Sequence, residues 1–261
     1  VVADEDLGPL IATDMTRCIH CTRCVRFMTE IAGTTELGGL GRGEHLEIGT
    51  YIGKSIESEL GGNIIDVCPV GALTNKVFRY KARPWELIAR PSVGYHDALH
   101  SNLFLHVRRG EVLRTVPRDN EAINETWLSD RDRYSHQGLY SADRATKPLL
   151  RDGNEWREAD WEEALTRTAD LLRNAPLGQT GFLVGSGTSC EEGALLAKLA
   201  SHLGSPHLDH RLGWSDFADD GTRAAQPGFE MPLAQIEQAD VIVLVGCDPQ
   251  REAPLLGHRI R

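Results

Sequence analysis

Three cysteines stand close together near the start of the chain, at two successive spacings of three residues: Cys18, Cys21 and Cys24. The next cysteine along the chain is Cys68, and Pro69 follows it directly. Thiolate sulfur binds both iron–sulfur clusters and zinc, but zinc sites usually present two separated pairs of ligands. Three cysteines in one loop and a distant Cys-Pro are typical of a ferredoxin-type [4Fe-4S] cube. The sequence therefore predicts a cube bound by Cys18, Cys21, Cys24 and Cys68.

The same pattern predicts one cluster rather than two. A two-cluster ferredoxin carries a second set of cysteines at fixed distances from the first set. The corresponding positions hold residues without a thiol, namely Met28, Ser58, Gly61 and Ile64. We expect these to be packing residues in place of a second cluster. His20 lies between two of the cysteines, but all four irons already have a sulfur ligand, so we predict an ordinary loop histidine.

Short helices are expected to hold the cysteines in place. Proline suits the first position of a helix because its missing N–H is not needed there, so we predict that Pro69 starts a helix and that Cys68 lies at its N-terminus. A second helix is predicted to start at Cys24. Backbone N–H groups at both ends would donate to cluster sulfur. A solvated basic flank is predicted around the cysteines from Arg17, Arg23 and Arg26.

The chain divides into two predicted domains. Two prolines in the stretch KARPWELIARPSVG, residues 81–94, indicate a boundary. We predict a ferredoxin-like iron–sulfur unit over residues 1–82 and a larger α/β scaffold over residues 83–261. Two domains agree with a length of 261 residues, since a domain has ~150 residues. The predicted fold class is therefore α+β followed by α/β.

Local patterns place the first elements of the scaffold. Residues 103–116 alternate apolar and polar side chains on either side of Gly110, which predicts a β-hairpin. Asp160 and Glu163 have the spacing of a capping box at the start of a helix. The apolar face of that helix is expected to pack against another element.

The last hundred residues predict a parallel α/β layer. Apolar runs predict strands at 180–187 and 206–209, with a helix at 190–204 between them. A further buried strand, followed by the start of a helix, is predicted over residues 239–250. Strands that alternate with helices are typical of a parallel sheet.

The overall composition excludes several classes of protein. Hydrophobic residues make up 41% and charged residues 25%, as in ordinary globular chains. The formal charge of −10 disfavours a broad phosphate-binding surface, so we expect no nucleic acid partner. No apolar run approaches the ~18 residues of a spanning helix, so no direct membrane insertion is expected. Clustered cysteines without a targeting signal indicate a reduced, cytosolic setting.

Four stretches carry a resemblance to a known family: DLGPLIATDMTRCIHCTRCVRFMTEIAG, SELGGNIIDVCPVGALT, ARPWEL and INETWLSDRDRY. With them the sequence resembles the large iron–sulfur subunit of respiratory complex I, the NADH:quinone oxidoreductase. The resemblance implies that Cys18, Cys21, Cys24 and Cys68 hold one [4Fe-4S] cluster of an electron wire. It also implies a central fragment of such a subunit, without the N-terminal [2Fe-2S] domain.

The function implied by the resemblance is electron transfer without substrate chemistry on this chain. NADH oxidation and quinone reduction are then expected on other subunits. The implied partners are the other subunits of the respiratory complex. The implied location is peripheral, at the cytoplasmic face of the inner membrane or on the mitochondrial matrix side.

Two cofactor sites of related proteins are expected to be missing. Some members of the family carry a further [4Fe-4S] cluster, with cysteines where this sequence has Gly94, Asp97, Ser101 and Ser129, so that site is expected to be lost. The C-terminal part resembles the scaffold of molybdopterin oxidoreductases. Its glycines at 185 and 187 form only a partial phosphate-binding motif, so no molybdopterin is expected.

Two rival interpretations use the same cysteines. One is a molybdenum-dependent, formate dehydrogenase-like oxidoreductase fed by the cluster, and the other is a structural zinc module. The first rival would need a cysteine or selenocysteine ligand, but no cysteine stands between Cys190 and Cys247, which are themselves expected to pack as small buried residues. Serine hydrolases are excluded because the G-x-S-x-G motif is absent.

Overall fold

The chain forms two compact units in its computed structural model, which describes residues 3–185, 187–210, 213, 218 and 231–261. The first unit contains Val1–Tyr140 and Gly228–Arg261, and the second unit contains Ser141–Pro227. The predicted boundary between residues 82 and 83 lies inside the first unit. The boundary between residues 82 and 83 therefore stays a prediction about the domain organisation of the chain.

The described elements are short. The strands are β1 (Ile11–Thr13), β2 (Leu37–Leu40), β3 (Glu47–Thr50), β4 (Leu73–Asn75), β5 (Ile88–Val93), β6 (Asn102–Arg108), β7 (Glu111–Pro117), β8 (Leu149–Asp152), β9 (Glu155–Glu158), β10 (Gly181–Leu183) and β11 (His207–Asp209). The α-helices are α1 (Arg23–Arg26), α2 (Asn63–Val67), α3 (Asp130–Tyr134), α4 (Trp161–Asn174), α5 (Cys190–His202), α6 (Pro249–Glu252) and α7 (Pro254–Ile260).

The N-terminal part of the first unit has two small antiparallel sheets around an apolar core. β1 pairs with β4, and β2 pairs with β3. Helix α1 continues into a π-helical turn, Phe27–Ala32, which ends at Gly33 in the left-handed conformation. Met28 and Ile64 are fully buried in the core. The prediction that packing residues occupy these two positions is confirmed.

A three-stranded antiparallel sheet follows, in the order β5, β6, β7. The predicted hairpin is confirmed, since β6 and β7 pair from Leu103 opposite Pro117 to Arg108 opposite Glu111. Arg109 and Gly110 form the turn between the strands, and both have positive φ, 52° and 85°. A two-residue hairpin turn of this hand requires positive φ at both positions, which explains the glycine.

Buried polar contacts join the two sides of the predicted boundary. The Asn63 side chain donates to the Leu128 carbonyl at 2.8 Å and accepts from the Leu128 N–H at 3.0 Å. The Gly62 N–H donates to the Asp130 carboxylate at 2.7 Å. Arg133 pairs with Asp66 at 2.6 Å. These contacts fix α2, which precedes Cys68, against α3.

The second unit contains a β8–β9 hairpin, helix α4 and a parallel pair of strands joined through α5. Gly181 of β10 lies opposite His207 of β11, so the predicted parallel strand–helix–strand arrangement is confirmed. Helix α5 begins with a capping box between Ser189 and Glu192. The sequence reasoning missed this box, although its Ser-x-x-Glu spacing is readable.

Helix α4 differs in two ways from the prediction. Asp160 caps it by accepting from the Glu163 N–H at 2.7 Å, but the Glu163 carboxylate pairs with Arg157 and does not complete the predicted capping box. Its apolar face is also not packed as predicted, since Leu165 and Leu171 are 62% and 60% exposed. A nearby arginine offers the carboxylate a charged partner, which competes with the backbone N–H.

The predicted buried strand within residues 239–250 is wrong. The described residues 241–245 form no strand, and Val241, Val243 and Val245 are between 77% and 82% exposed. An apolar run becomes a strand only when a neighbouring strand pairs with its N–H and C=O groups, and no described strand pairs with this run. The predicted start of a helix is confirmed by α6, which begins at Pro249.

Among the helices that the structure describes, none combines the length and apolar character required to cross a membrane.

Candidate metal centre

All four predicted ligands line one recess in the first unit. The recess is lined by Cys18, Cys21, Cys24 and Cys68 together with mostly apolar neighbours. Met15, Ile48 and Leu73 are buried members of that lining. All four cysteines are free thiols and are partly buried. The structure therefore brings the distant Cys68 to the loop of the other three.

The loop between Cys18 and Cys24 is shaped by two residues in the left-handed conformation. His20 has φ 52° and Thr22 has φ 59°, values that are uncommon outside glycine and especially costly for a β-branched threonine. The backbone bends at each of them, which turns successive cysteines toward the same recess. The His20 N–H donates to Cys18 Sγ at 3.4 Å. His20 itself is exposed and outside the lining of the recess, as expected of a loop histidine.

Cys68 follows the C-terminus of α2, and the predicted helix after it is absent. Residues 69–72 form turns and bends before β4, and Gly71 has φ 65°. The prediction that Cys68 lies at a helix N-terminus is therefore wrong. A residue that precedes proline is disfavoured in the helical region, and Cys68 has an extended backbone with φ −80° and ψ 108°. Pro69 thus ends a helix here and does not begin one.

The predicted helix at Cys24 is confirmed, with α1 beginning one residue earlier at Arg23. Burial raises the pKa of the Cys24 thiol to about 11. The Val25 N–H opposes this shift by donating to the sulfur, and the neighbouring thiols Cys18, Cys68 and Cys21 add to it. Four thiolates cannot accumulate in this recess without positive charge between them. The iron of a cluster would supply that charge, so the four sulfur donors and apolar walls fit such a group.

A cube and a single zinc ion place their ligand sulfurs differently. In the ranges described, no group of three or more His, Cys, Asp or Glu residues is arranged to hold one metal ion. A zinc ion draws every ligand sulfur to ~2.3 Å of one centre, whereas each thiolate of a cube binds a different iron. The four cysteines line one recess, and the identity of the bound metal distinguishes the two arrangements.

The arginines near the cysteines are solvated, as predicted. Arg17, Arg23 and Arg26 are exposed. Arg17 Nε lies 2.7 Å from the Asp14 carboxylate, which also faces Arg79 at 3.9 Å. Arg23 belongs to the lining of the recess, where its positive charge favours negative charge on the site.

The four positions of the expected lost cluster surround a carboxylate. The Gly94 N–H donates to the Ser101 carbonyl at 2.8 Å, and Ser129 caps α3 by accepting from the Asp132 N–H at 3.3 Å. The Asp132 carboxylate is so close to Gly94 that a Cβ on residue 94 would lie 2.3 Å from Oδ2. Burial is the main cause of a raised pKa of Asp132, and the negative charge of Asp97 raises this pKa further.

Oxygen ligands and a glycine do not fit a second cube. No cysteine lies within residues 89–137. Asp132 was not predicted from the sequence to lie at this site. Its only sequence signal is its position three residues after Ser129, the residue that caps α3. Its carboxylate occupies space that a side chain at residue 94 would need.

The remaining cysteines are not packed as predicted. Cys190 and Cys247 are both exposed, so the expectation that they are small buried residues is wrong. Cys190 is the first residue of α5, where the capping Ser189 holds the backbone and the side chain remains in solvent. The predicted glycine turn with Gly185 and Gly187 contains Ser186, which lies outside the described residues.

Three family models match successive parts of the chain. Residues 8–74 match the ferredoxin-like domain of NADH-quinone oxidoreductase subunit 3. Residues 89–137 match the 4Fe-4S domain of the NADH-ubiquinone oxidoreductase NDSU1/NuoG-like family. Residues 144–261 match the molybdopterin oxidoreductase family. A ferredoxin-like domain followed by a molybdopterin oxidoreductase domain agrees with the predicted fold class.

Curated relatives align with nearly the whole chain. An NADH-quinone oxidoreductase subunit of Rickettsia conorii is 42% identical over 259 residues, which are 99% of this chain and 38% of that protein. The mitochondrial NADH-ubiquinone oxidoreductase 78 kDa subunit of Neurospora crassa is 43% identical over 264 residues, 100% of this chain and 35% of that protein. The chain thus spans less than two fifths of the length of these relatives.

Proposed function

The chain belongs to the NuoG-like family of NADH-quinone oxidoreductase subunits, and from this premise we propose that it relays single electrons through one [4Fe-4S] cluster held by Cys18, Cys21, Cys24 and Cys68. The observation that carries the proposal is the recess in which these four thiols, and no other cysteine of the described residues, meet. The cluster supplies one-electron oxidation and reduction when it is bound.

The residues of the chain hold the cluster and set its surroundings. The apolar side chains of Met15, Ile48 and Leu73 exclude water from one side of the recess. The N–H groups of His20 and Val25 donate to cysteine sulfur, which favours the more negative, reduced state. No bond of a substrate is made or broken by these residues, so the proposed role is transfer alone.

We place the substrate chemistry and the partners outside this chain. The relatives are named as subunits of NADH-quinone and NADH-ubiquinone oxidoreductases, which supports assembly with other subunits of such a complex. In this proposal NADH oxidation and quinone reduction occur on those subunits. The location is peripheral, at the cytoplasmic face of the inner membrane or on the mitochondrial matrix side, without nucleic acid and without direct membrane insertion.

The proposal includes one cluster and no molybdopterin. The absence of any cysteine from residues 89–137 supports a single cluster, although the family matched there is described by a 4Fe-4S domain. The phosphate-binding glycine motif at residues 185 and 187 is only partial, which supports a chain without molybdopterin.

EPR spectroscopy of the full-length protein, purified without oxygen and reduced with dithionite, tests the relay. We expect the signal of a reduced [4Fe-4S] cluster, with iron as the bound metal. Stoichiometric zinc without iron would instead establish the structural zinc module. Molybdenum in the preparation, together with dye reduction by formate, would establish the formate dehydrogenase-like alternative.

A further inference from the structure

One segment of this acidic chain is strongly basic. Residues 76–118 contain nine Lys or Arg residues and three Asp or Glu residues. The whole chain, in contrast, has 28 Lys or Arg residues and 38 Asp or Glu residues. Positive charge is thus concentrated in the segment that contains the β5–β6–β7 sheet. Such an asymmetry creates a local field that attracts an oppositely charged surface.

Six exposed residues of this segment are called the basic ridge: Lys81, Arg83, Trp85, Ile88, Arg90 and Arg109. The Arg108 guanidinium ties their backbone together, since it donates to the Lys81 carbonyl at 3.1 Å and pairs with Glu86 at 2.7 Å. The Glu86 carboxylate also accepts from the Arg83 N–H at 2.7 Å. The segment before β5 is therefore held beside the end of β6.

The pairing of β5 with β6 places the remaining ridge residues beside that segment. Ile88 lies opposite Val107, and Arg90 lies opposite Leu105. Arg109 follows the end of β6 in the hairpin turn. The backbone segments that carry the ridge residues are therefore neighbours in the first unit.

The four cations of the ridge have no ion pair with any residue that the structure describes: Lys81, Arg83, Arg90 and Arg109. Trp85 and Ile88 stand between them and are 80% and 55% exposed. An acidic, partly apolar surface that covers the ridge would reduce the repulsion between these like charges. It would also remove the large apolar ring of Trp85 from water. Tryptophan and arginine are also enriched at the centres of protein interfaces.

Protection of a sheet edge explains only part of this composition. β5 is the edge strand of its sheet, and natural edges carry charges and proline to prevent pairing with other strands. Arg90 and Pro91 suit that role, and Pro91 removes one N–H from the edge. Edge protection gives no reason for an exposed Trp85. The exposed Trp85 therefore needs a different explanation from the charges and proline of the edge.

We infer that the basic ridge is a docking surface for an acidic surface of another protein chain, with Trp85 as its apolar centre. Arginine outnumbers lysine among the four cations of the ridge, and its planar group binds carboxylates through two parallel hydrogen bonds. That preference points to Asp and Glu side chains of a protein. The inference rests on the proposed assembly into a complex but is independent of the cluster.

Carbodiimide cross-linking of the purified complex tests the inference, because this reagent joins a lysine amine directly to a carboxylate that touches it. We expect Lys81 to form cross-links with Asp or Glu of a different subunit, identified by mass spectrometry. Lys198 is an exposed lysine of α5 and serves as the control, with no such cross-link expected. Cross-links of Lys81 confined to carboxylates of its own chain would overturn the inference.

Charge reversal supplies an independent test. The double variant Arg83→Glu and Arg90→Glu is expected to lower the yield of the Lys81 cross-link and the retention of the chain in the complex by about tenfold. The control Arg144→Glu changes an exposed arginine of the second unit and is expected to retain both. Unchanged retention and cross-linking in the double variant would contradict the inference.

Two further readouts separate the causes of failure. The EPR signal of the double variant reports whether the first unit is folded and whether the relay proposal holds, since none of the ridge residues lines the cysteine recess. The protein is also mixed with vesicles of phosphatidylcholine and phosphatidylglycerol. Binding to these vesicles that is lost in the double variant, without an intersubunit cross-link of Lys81, would assign the ridge to a membrane surface and overturn the protein partner.

Discussion

The Cys68 thiol reaches the recess from a different part of the chain than the other three cysteines. It follows α2, whereas Cys18, Cys21 and Cys24 belong to one loop and the helix after it. As the fourth ligand, Cys68 would close the site and tie its own segment to the loop. Metal binding and folding are coupled in such an arrangement.

Replacing Cys68 by serine tests its role as the fourth ligand. We expect Cys68→Ser to lose most of its iron and to unfold at lower denaturant concentration, because a hydroxyl is a poor ligand for cluster iron. Iron analysis and urea titration measure the two effects. The control Cys190→Ser changes an exposed thiol of α5 and should retain full iron content. Equal iron in both variants would remove Cys68 from the ligand set.

Asp130 is a second single residue with a testable property. Its side chain is 8% exposed, and burial raises its pKa to about 7, although Arg133 and the Gly62 N–H partly oppose the shift. The ordinary pKa is 3.8. Between these values the folded state binds a proton that the unfolded state has released. The contribution of this group to stability therefore decreases as the pH rises from about 4 to about 7.

The Asp130→Asn variant should remove this pH dependence while keeping an oxygen for the Gly62 N–H. Relative to the unchanged protein, its free energy of unfolding should rise by on the order of 3 kcal/mol between pH 4 and pH 7. Urea titrations at several pH values measure the difference. Asp119→Asn changes an exposed carboxylate and should follow the unchanged protein at every pH. A parallel pH profile for Asp130→Asn would show that Asp130 titrates normally.

At the scale of elements, α2 is positioned by buried polar contacts rather than by apolar packing alone. Asn63 is fully buried and also donates to the Leu60 carbonyl at 2.9 Å, in addition to its two bonds with Leu128. Its oxygen further accepts from Arg133 at 3.0 Å. One amide thus satisfies backbone groups of two separate segments, which sets where Cys68 emerges from α2.

Removing the Asn63 amide should be costly. In Asn63→Ala the Leu128 N–H and the Leu128 carbonyl lose their partner while buried, whereas the Leu60 carbonyl keeps the backbone N–H of residue 63, so we expect the free energy of unfolding to fall by about 2–4 kcal/mol. Weaker retention of iron should accompany the loss, because the helix before Cys68 is less well fixed. Equilibrium unfolding in urea measures the first effect. Asn154→Ala, in the exposed turn between β8 and β9, should change stability by less than about 0.5 kcal/mol.

At the scale of the whole molecule, the chain has one set of cysteines for a cluster although two of its three matched families are described by iron–sulfur domains. Residues 8–74 contain all four cysteines of the recess, and residues 89–137 contain none. The buried Asp132 carboxylate occupies part of the space at Gly94. The second domain is therefore expected to serve as a scaffold only.

Metal analysis of the full-length protein can count clusters in this segment. We expect the quadruple change of Cys18, Cys21, Cys24 and Cys68 to serine to remove about four iron atoms per chain, the content of one cube. The residual iron should equal that of any clusters outside the segment, and molybdenum should be absent before and after the change. Loss of about eight iron atoms would contradict a single cube, as would molybdenum in stoichiometric amount.

Several features were predictable because they depend on neighbours in the chain. The ligand set follows from the spacing of Cys18, Cys21 and Cys24 and from the Cys-Pro pair, and it remains a prediction that the recess supports. The hairpin at Gly110 and the helix after Asp160 were predictable from turn and capping preferences, which act over two to four residues.

Tertiary structure decided the features that depend on distant partners. Pro69 could start or end a helix by local rules, and in the folded chain it follows the end of α2. The apolar run at 241–245 lacks a described strand beside it, and Cys190 and Cys247 remain in solvent. Sequence patterns determine which groups of a residue can form bonds. Whether a side chain is buried or a strand is paired depends on a second segment of the chain that lies beside it, and only the tertiary structure places that segment.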